Sequence, residues 1–140
     1  MIVVDSSALV AILRNEPTAD ALMERLREER RGERWLSVAT YIETGTVLAG
    51  RSKRPPSKAI EDLGDFLADA EIDLAPVDIE QGRTALRARV EYGRGFGAAA
   101  GLNFGDCFSY ALAKAKSAPL LYVGNDFDKT DVVPALKLKG

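Results

Sequence analysis

Four acidic residues stand among apolar or small neighbours, where a solvated outer face would not place them. Asp5 closes Ile-Val-Val-Asp-Ser-Ser-Ala-Leu and Glu43 lies in Ala-Thr-Tyr-Ile-Glu-Thr-Gly. Asp106 lies in Leu-Asn-Phe-Gly-Asp-Cys-Phe-Ser-Tyr-Ala-Leu, and Asp126 in Leu-Leu-Tyr-Val-Gly-Asn-Asp-Phe. A carboxylate without a partner is costly to bury, so four such positions ask for a shared explanation. Convergence on a divalent cation supplies one. Gathered together, four carboxylates repel and take up protons unless a cation neutralises them. Ligation by oxygen alone selects hard ions such as Mg²⁺ or Mn²⁺ over Zn²⁺. One or two such ions would bind a phosphodiester, lower the pKa of a water and stabilise the leaving oxygen.

The chain contains no histidine. That removes the Ser-His-Asp and Cys-His arrangements and histidine-ligated zinc, leaving carboxylates and lysines for acid–base or metal work. Each acid alone has a plainer reading. Asp5 is placed to cap the helix that follows it, Asp106 to favour its helix dipole, and Asp126 to serve as a turn residue after glycine. Glu43 resists such a reading, because it shares a helix face with Ala39, Ile42, Thr46 and Val47, where ionised groups are rare. The metal reading rests on the four together.

The elements that must position these acids alternate strand and helix. Ile2–Asp5 reads as a strand, and Ser6 or Ser7 as the cap of a short helix Ala8–Leu13. A helix opens at Pro17-Thr18 and runs to about Arg31, with Ala19, Leu22, Met23 and Leu26 at helical spacing. Trp35-Leu36-Ser37 forms a short strand, and Ser37 caps a helix to about Ala49. Pro55-Pro56-Ser57 opens the next helix, with Ile60, Leu63, Phe66 and Leu67 facing inward. Ile72–Val77 is a strand and Ile79–Tyr92 a helix, followed by a glycine- and alanine-rich loop over 93–101. Asn103 caps a helix to about Lys116, with Phe104, Cys107, Phe108, Ala111 and Leu112 on its apolar side. Leu120–Val123 is the fourth strand, and Val132–Leu138 adds a fifth that Pro134 pushes to an edge. Strand–helix alternation implies an open α/β sandwich of about five parallel strands. Ligands of such sheets bind beyond the strands' carboxyl ends, which is where Asp5 and Asp126 belong.

At 140 residues, with 46% hydrophobic and 29% charged content, a single domain over residues 1–140 with a sizeable core is expected. The N-terminus enters Ile2-Val3-Val4 directly, with no signal-peptide pattern, and no apolar run is long enough to span a bilayer. A single cysteine, Cys107, excludes an internal disulfide and fits a cytoplasmic location. The net charge of −2 provides no global attraction for nucleic acid, so phosphate contacts would have to be local. Arg51, Lys53, Arg54 and Arg94 are candidates, although such a charge cluster is most often simply solvated, and Arg83 and Arg87 are similarly ambiguous.

In this order the motifs resemble those of a PIN-domain nuclease of the VapC toxin type. The resemblance spans nearly the whole chain. It rests on Val-Val-Asp-Ser-Ser-Ala-Leu-Val-Ala-Ile-Leu at 3–13, Tyr-Ile-Glu at 41–43, Leu-Asn-Phe-Gly-Asp-Cys-Phe-Ser-Tyr-Ala-Leu-Ala at 102–113, and Gly-Asn-Asp-Phe with Thr130-Asp131. It implies a three-layer α/β/α fold, with Asp5, Glu43, Asp106 and Asp126 around Mg²⁺ or Mn²⁺ and Ser7 and Asn125 in support. Also implied are endoribonuclease activity on structured RNA such as tRNA or rRNA, a small cognate antitoxin that blocks the site, and a homodimer. Relatives often carry basic or histidine residues before the Leu-Asn-Phe-Gly-Asp motif; this chain has Phe96-Gly97-Ala98-Ala99-Ala100. Asp128 is a second acid beside Asp126, which is preferred because it directly precedes Phe127.

Gly93-Arg94-Gly95-Phe96-Gly97-Ala98 fits a dinucleotide-binding pattern, but it follows a helix rather than a strand and so fails the context test. Cys107 reads as core, not as a nucleophile. A catalytically silent RNA- or antitoxin-binding module of the same fold is the alternative. A phosphotransfer receiver domain is more distant, because serines follow Asp5 where paired acids would be wanted.

Overall fold

The computed structural model describes residues 1–97 and 101–138. Along the chain come β1 (Ile2–Val4), α1 (Ser6–Leu13), α2 (Ala19–Arg27), β2 (Arg34–Ser37) and α3 (Val38–Arg51). They are followed by α4 (Pro56–Asp69), β3 (Asp73–Ala75), α5 (Ile79–Tyr92), α6 (Asp106–Lys116) and β4 (Leu120–Leu121). The strands pair in parallel in the order β3-β2-β1-β4. A parallel sheet covered on both faces needs strands apolar on both faces, and Ile2, Val3 and Val4 are all fully buried. Their side chains alternate between two cores. Val3 and Leu120 join Ala85 and Ala88 of α5 and Leu112 of α6. Ile2, Val4 and Leu121 join Leu9 of α1, Leu22 of α2, and Leu63 and Leu67 of α4. Helices therefore cover both faces, giving the expected three layers.

The differences from expectation have local causes. The fifth strand shrinks to one parallel bridge between Leu120 and Pro134. There Leu120 N–H donates to Val133 O, and Ala135 N–H donates to Leu120 O, each at 2.8 Å. Pro134 has no N–H to offer a further strand, so the sheet ends there. β4 stops at Leu121 because the Val123 N–H donates instead to Ser7 Oγ at 3.0 Å. β3 stops before Pro76. α2 ends at Arg27, short of Arg31; beyond it the Glu29 carbonyl is held by the Arg34 guanidinium at 2.6 and 3.0 Å.

α1 is capped by Asp5 rather than by Ser6 or Ser7, the carboxylate accepting from Ser7 N–H. Two helix faces also differ. Ile60 is exposed, and α4 buries Ala59, Leu63 and Leu67. α3 turns inward not an aliphatic stripe but Thr40, Thr44 and Gly45, leaving Ile42 exposed. Among the described residues no helix is long and apolar enough to cross a membrane.

Candidate active site

β1, β2 and β4 all deliver the chain to one rim of the sheet, and the acids gather there. Asp5 follows β1 and is 1% exposed. Its Oδ2 accepts from Ser7 N–H at 3.0 Å and from Ser7 Oγ at 2.7 Å, while Oδ1 accepts from Ser109 Oγ at 2.6 Å. Ser7 is thus doubly engaged, since its oxygen also accepts the Val123 N–H. Ser109 Oγ lies 3.1 Å from Thr40 Oγ1. The one Ser109 proton goes to the carboxylate, which leaves Thr40 as donor to Ser109. One hydroxyl relay therefore ties α3, α6 and the end of β1 to Asp5.

Asp106 begins α6. Asn103 accepts the Asp106 N–H on its side chain at 2.9 Å, and Asp106 Oδ2 accepts the Asn103 N–H at 3.0 Å. This reciprocal bond is the cap expected from Asn103, with the helix itself starting at Asp106. Burial pushes the Asp106 carboxyl up to about 7. The Asn103 bond opposes the rise, and the charges of Asp5, Asp126 and Glu43 add to it. All four acids are therefore within electrostatic reach of one another.

Glu43 projects from α3 onto the turn before α6. Burial raises its pKa above the ordinary carboxylate range, with the Ser6 hydroxyl opposing and the Asp5 charge adding. Its Oε1 is buried with no hydrogen-bond partner among the described residues. The carboxylate occupies the space a Cβ would need at Gly105. The backbone there is ordinary right-handed helical, with φ −64°, so glycine is required for room and not for conformation.

The turn after β4 opens at Gly124, with φ +94°, a region that favours glycine. Asp126 is half-buried, whereas Asp128 is exposed and accepts the Tyr122 hydroxyl at 2.8 Å. Asn125 is exposed and gives its carbonyl to Asp128 N–H at 3.2 Å. Its side chain makes no hydrogen bond to the four acids among the described residues. The four acids remain a neighbourhood rather than a closed shell: among the described residues no three acidic or cysteine side chains are arranged to hold an ion. Even so, the set fits a hard cation, being all oxygen, largely desolvated and holding an orphaned carboxylate oxygen.

The candidate phosphate contacts divide. Arg94 is exposed, and its backbone N–H donates to the carbonyl of Leu102, the residue before Asn103, at 2.8 Å. Arg51, Lys53 and Arg54 lie at the α3–α4 junction, about two turns (~12 Å) past Glu43. Arg54 there pairs with Asp62 at 2.9 Å. Arg83 pairs with Glu80, and Arg87 reaches Thr84 at 3.4 Å. Cys107 is buried, its thiol pushed up to about 11 by desolvation, consistent with a core role. Of the pre-motif segment, Ala98-Ala99-Ala100 lies outside the described residues.

Ser109, Thr40 and Gly105 were not anticipated. A hydroxyl three residues after Asp106, and another three before Glu43, each share a helix face with the acid, and that spacing was the available signal. Phe104, expected on the apolar side of α6, is 70% exposed. It precedes the helix in a turn, so helical spacing did not apply to it.

The PIN-domain family model matches residues 2–133. The chain is 45% identical over 134 residues to ribonuclease VapC28 of Mycobacterium tuberculosis, covering 96% of this chain and 97% of that protein. The chain belongs to the PIN-domain family, among the VapC ribonucleases. A ribonuclease VapC of Mycolicibacterium smegmatis is 43% identical over 130 residues, covering 93% of this chain and 96% of that one. The fold also matches M. tuberculosis VapC20, described as a toxin that cleaves the sarcin–ricin loop. That match has a TM-score of 0.71 at 18% identity, over 95% of this chain and 97% of that one. A toxin–antitoxin complex from Klebsiella pneumoniae matches with a TM-score of 0.69 at 14% identity, over 99% of this chain and all (100%) of that one.

Proposed function

We propose that this VapC-type chain is the toxin of a toxin–antitoxin pair, acting in the cytoplasm as a Mg²⁺- or Mn²⁺-dependent endoribonuclease on structured RNA such as tRNA or rRNA. The observation that carries the proposal is the gathering of Asp5, Glu43, Asp106 and Asp126 at one rim, with Glu43 Oε1 buried and without a partner among the described residues. Asp5, Glu43, Asp106 and Asp126 would hold the ion. Once bound, it supplies Lewis acidity toward a phosphodiester oxygen and a water of lowered pKa. Asp5 enters that role already fixed by Ser7 and Ser109, so little side-chain freedom remains to be lost. Glu43 contributes the oxygen that has no other partner. Asp106, at about 7 without an ion, exchanges its proton for the cation, so ion uptake weakens as pH falls below neutrality.

The proposed partners are a small cognate antitoxin and a second copy of this chain. Support comes from the exposed Ile79, Leu86 and Val90 on α5 and from the relation to a protein found in a toxin–antitoxin complex. The test is RNA cleavage by the purified chain with Mg²⁺ or with chelator, beside Asp5→Asn. Cleavage that needs the ion and disappears in the variant is expected. Cleavage by Asp5→Asn at the parental rate would sink the assignment.

A further inference from the structure

Phe104 has a large aromatic ring in water between two residues committed to the acids. On one side Asn103 caps Asp106; on the other Gly105 yields its space to Glu43. The ring is 70% exposed, yet it is held. It packs against the Phe108 ring at 5.1 Å with planes 85° apart, and its carbonyl accepts the Cys107 N–H at 3.3 Å. One perpendicular aromatic partner covers at most one face of the ring, so a large apolar surface is left in water at a cost.

The site also lacks an obvious electrostatic grip. The net charge is −2, the acids themselves repel phosphates, and three of the four candidate cations lie at the α3–α4 junction. A neutral stacking surface beside the acids would supply affinity that charge does not. We propose that Phe104 is a stacking platform for an unpaired nucleobase adjacent to the scissile phosphodiester. The inference rests on the ribonuclease reading. Stacking on a protein ring requires a base face that is free, as in a loop or single strand, because duplex stacking covers both faces. Arg94 is tied through its backbone to Leu102, two residues before Phe104.

The test uses hairpin RNAs with unpaired loops of randomised sequence, cleaved by the full chain with Mg²⁺ and compared across parent, Phe104→Ala and Phe104→Trp. Because the ring is exposed, Phe104→Ala keeps the parental melting temperature. Its KM rises by about 5- to 100-fold, the loss of one base–aromatic stack, with kcat changing far less. Phe104→Trp restores the parental KM. An abasic ribose at one position next to the cleaved bond reproduces the defect in the parent and adds nothing in Phe104→Ala. A parental KM in Phe104→Ala on a cleaved hairpin overturns this inference alone. So does unchanged RNA kinetics with weakened inhibition by an antitoxin protein, which would make Phe104 a protein contact. A parent that with Mg²⁺ cleaves neither the hairpins nor total RNA overturns the ribonuclease reading, and this inference with it.

Discussion

The two ends of α6 treat a carboxylate in opposite ways. Near its last turns, Asp131 accepts the Tyr110 hydroxyl at 2.6 Å and the Lys114 ammonium at 2.8 Å. Those bonds hold its pKa below the ordinary carboxylate range. At the first turn, Asp106 is buried among three other acids and rises to about 7, although a helix N-terminus favours negative charge. Desolvation and like charge outweigh the dipole there. The same holds between neighbours on the β4 turn, where Asp128 has the Tyr122 hydroxyl and Asp126 has no comparable partner among the described residues. An acid whose demand is met inside the chain serves the fold. An acid left unmet is available to something the chain does not contain.

That contrast can be broken most directly by activity. Asp106→Asn is expected to lower Mg²⁺-dependent RNA cleavage by about 10²–10³-fold, as for loss of a group aimed at developing charge. Asp131→Asn should keep cleavage within about threefold while remaining folded. Comparable losses in both would erase the distinction between the two ends of the helix.

The next effect is on stability without metal. A carboxyl whose folded pKa is raised favours the folded state most below its unfolded pKa. Asp106 should therefore destabilise the chain increasingly as pH climbs from about 4 to about 7, by at most about 4 kcal/mol. Asp131, with a lowered pKa, acts in the opposite sense, its contribution being lost as pH falls through the acid range. Urea denaturation in chelator across that range should show a flatter profile for Asp106→Asn. A slope identical to the parent's would mean that Asp106 is solvated.

Smaller still is the effect at the neighbouring glycine. Gly105→Ala should leave the melting temperature near the parental value and lower cleavage by about 10–100-fold through displacement of Glu43. Parental kinetics would show that Glu43 does not need its present position. Last, Mg²⁺ should raise the parent's melting temperature by a few degrees through linkage, and raise that of Glu43→Gln less. Equal shifts in calorimetry would remove Glu43 from the ion.

Most of the element order and the placement of the four acids at a common rim were legible, because both follow from local patterns. An apolar run ending in Asp5 announces a buried strand that delivers an acid, and Asn103 announces the helix that delivers Asp106. What holds the acids was not legible. Ser109 meets Asp5 across 104 residues and Ser7 meets Val123 across 116, and no periodicity encodes such pairs. Phe104 and Ile42 were misread because apolar spacing was taken to mean burial, whereas a turn exposes the first and α3 packs its threonines instead of the second. The fifth strand failed at Pro134, where the pattern was apolar but the backbone lacked a donor.

The space ceded by Gly105 has a genetic consequence. Every single-base change at the first or second position of a glycine codon either installs a side chain or stops translation. At this position the Cβ of any side chain meets the Glu43 carboxylate, on a backbone of ordinary right-handed helical conformation. Selection against the proposed ribonuclease activity therefore finds in codon 105 a target whose missense changes weaken cleavage through Glu43 rather than through the fold.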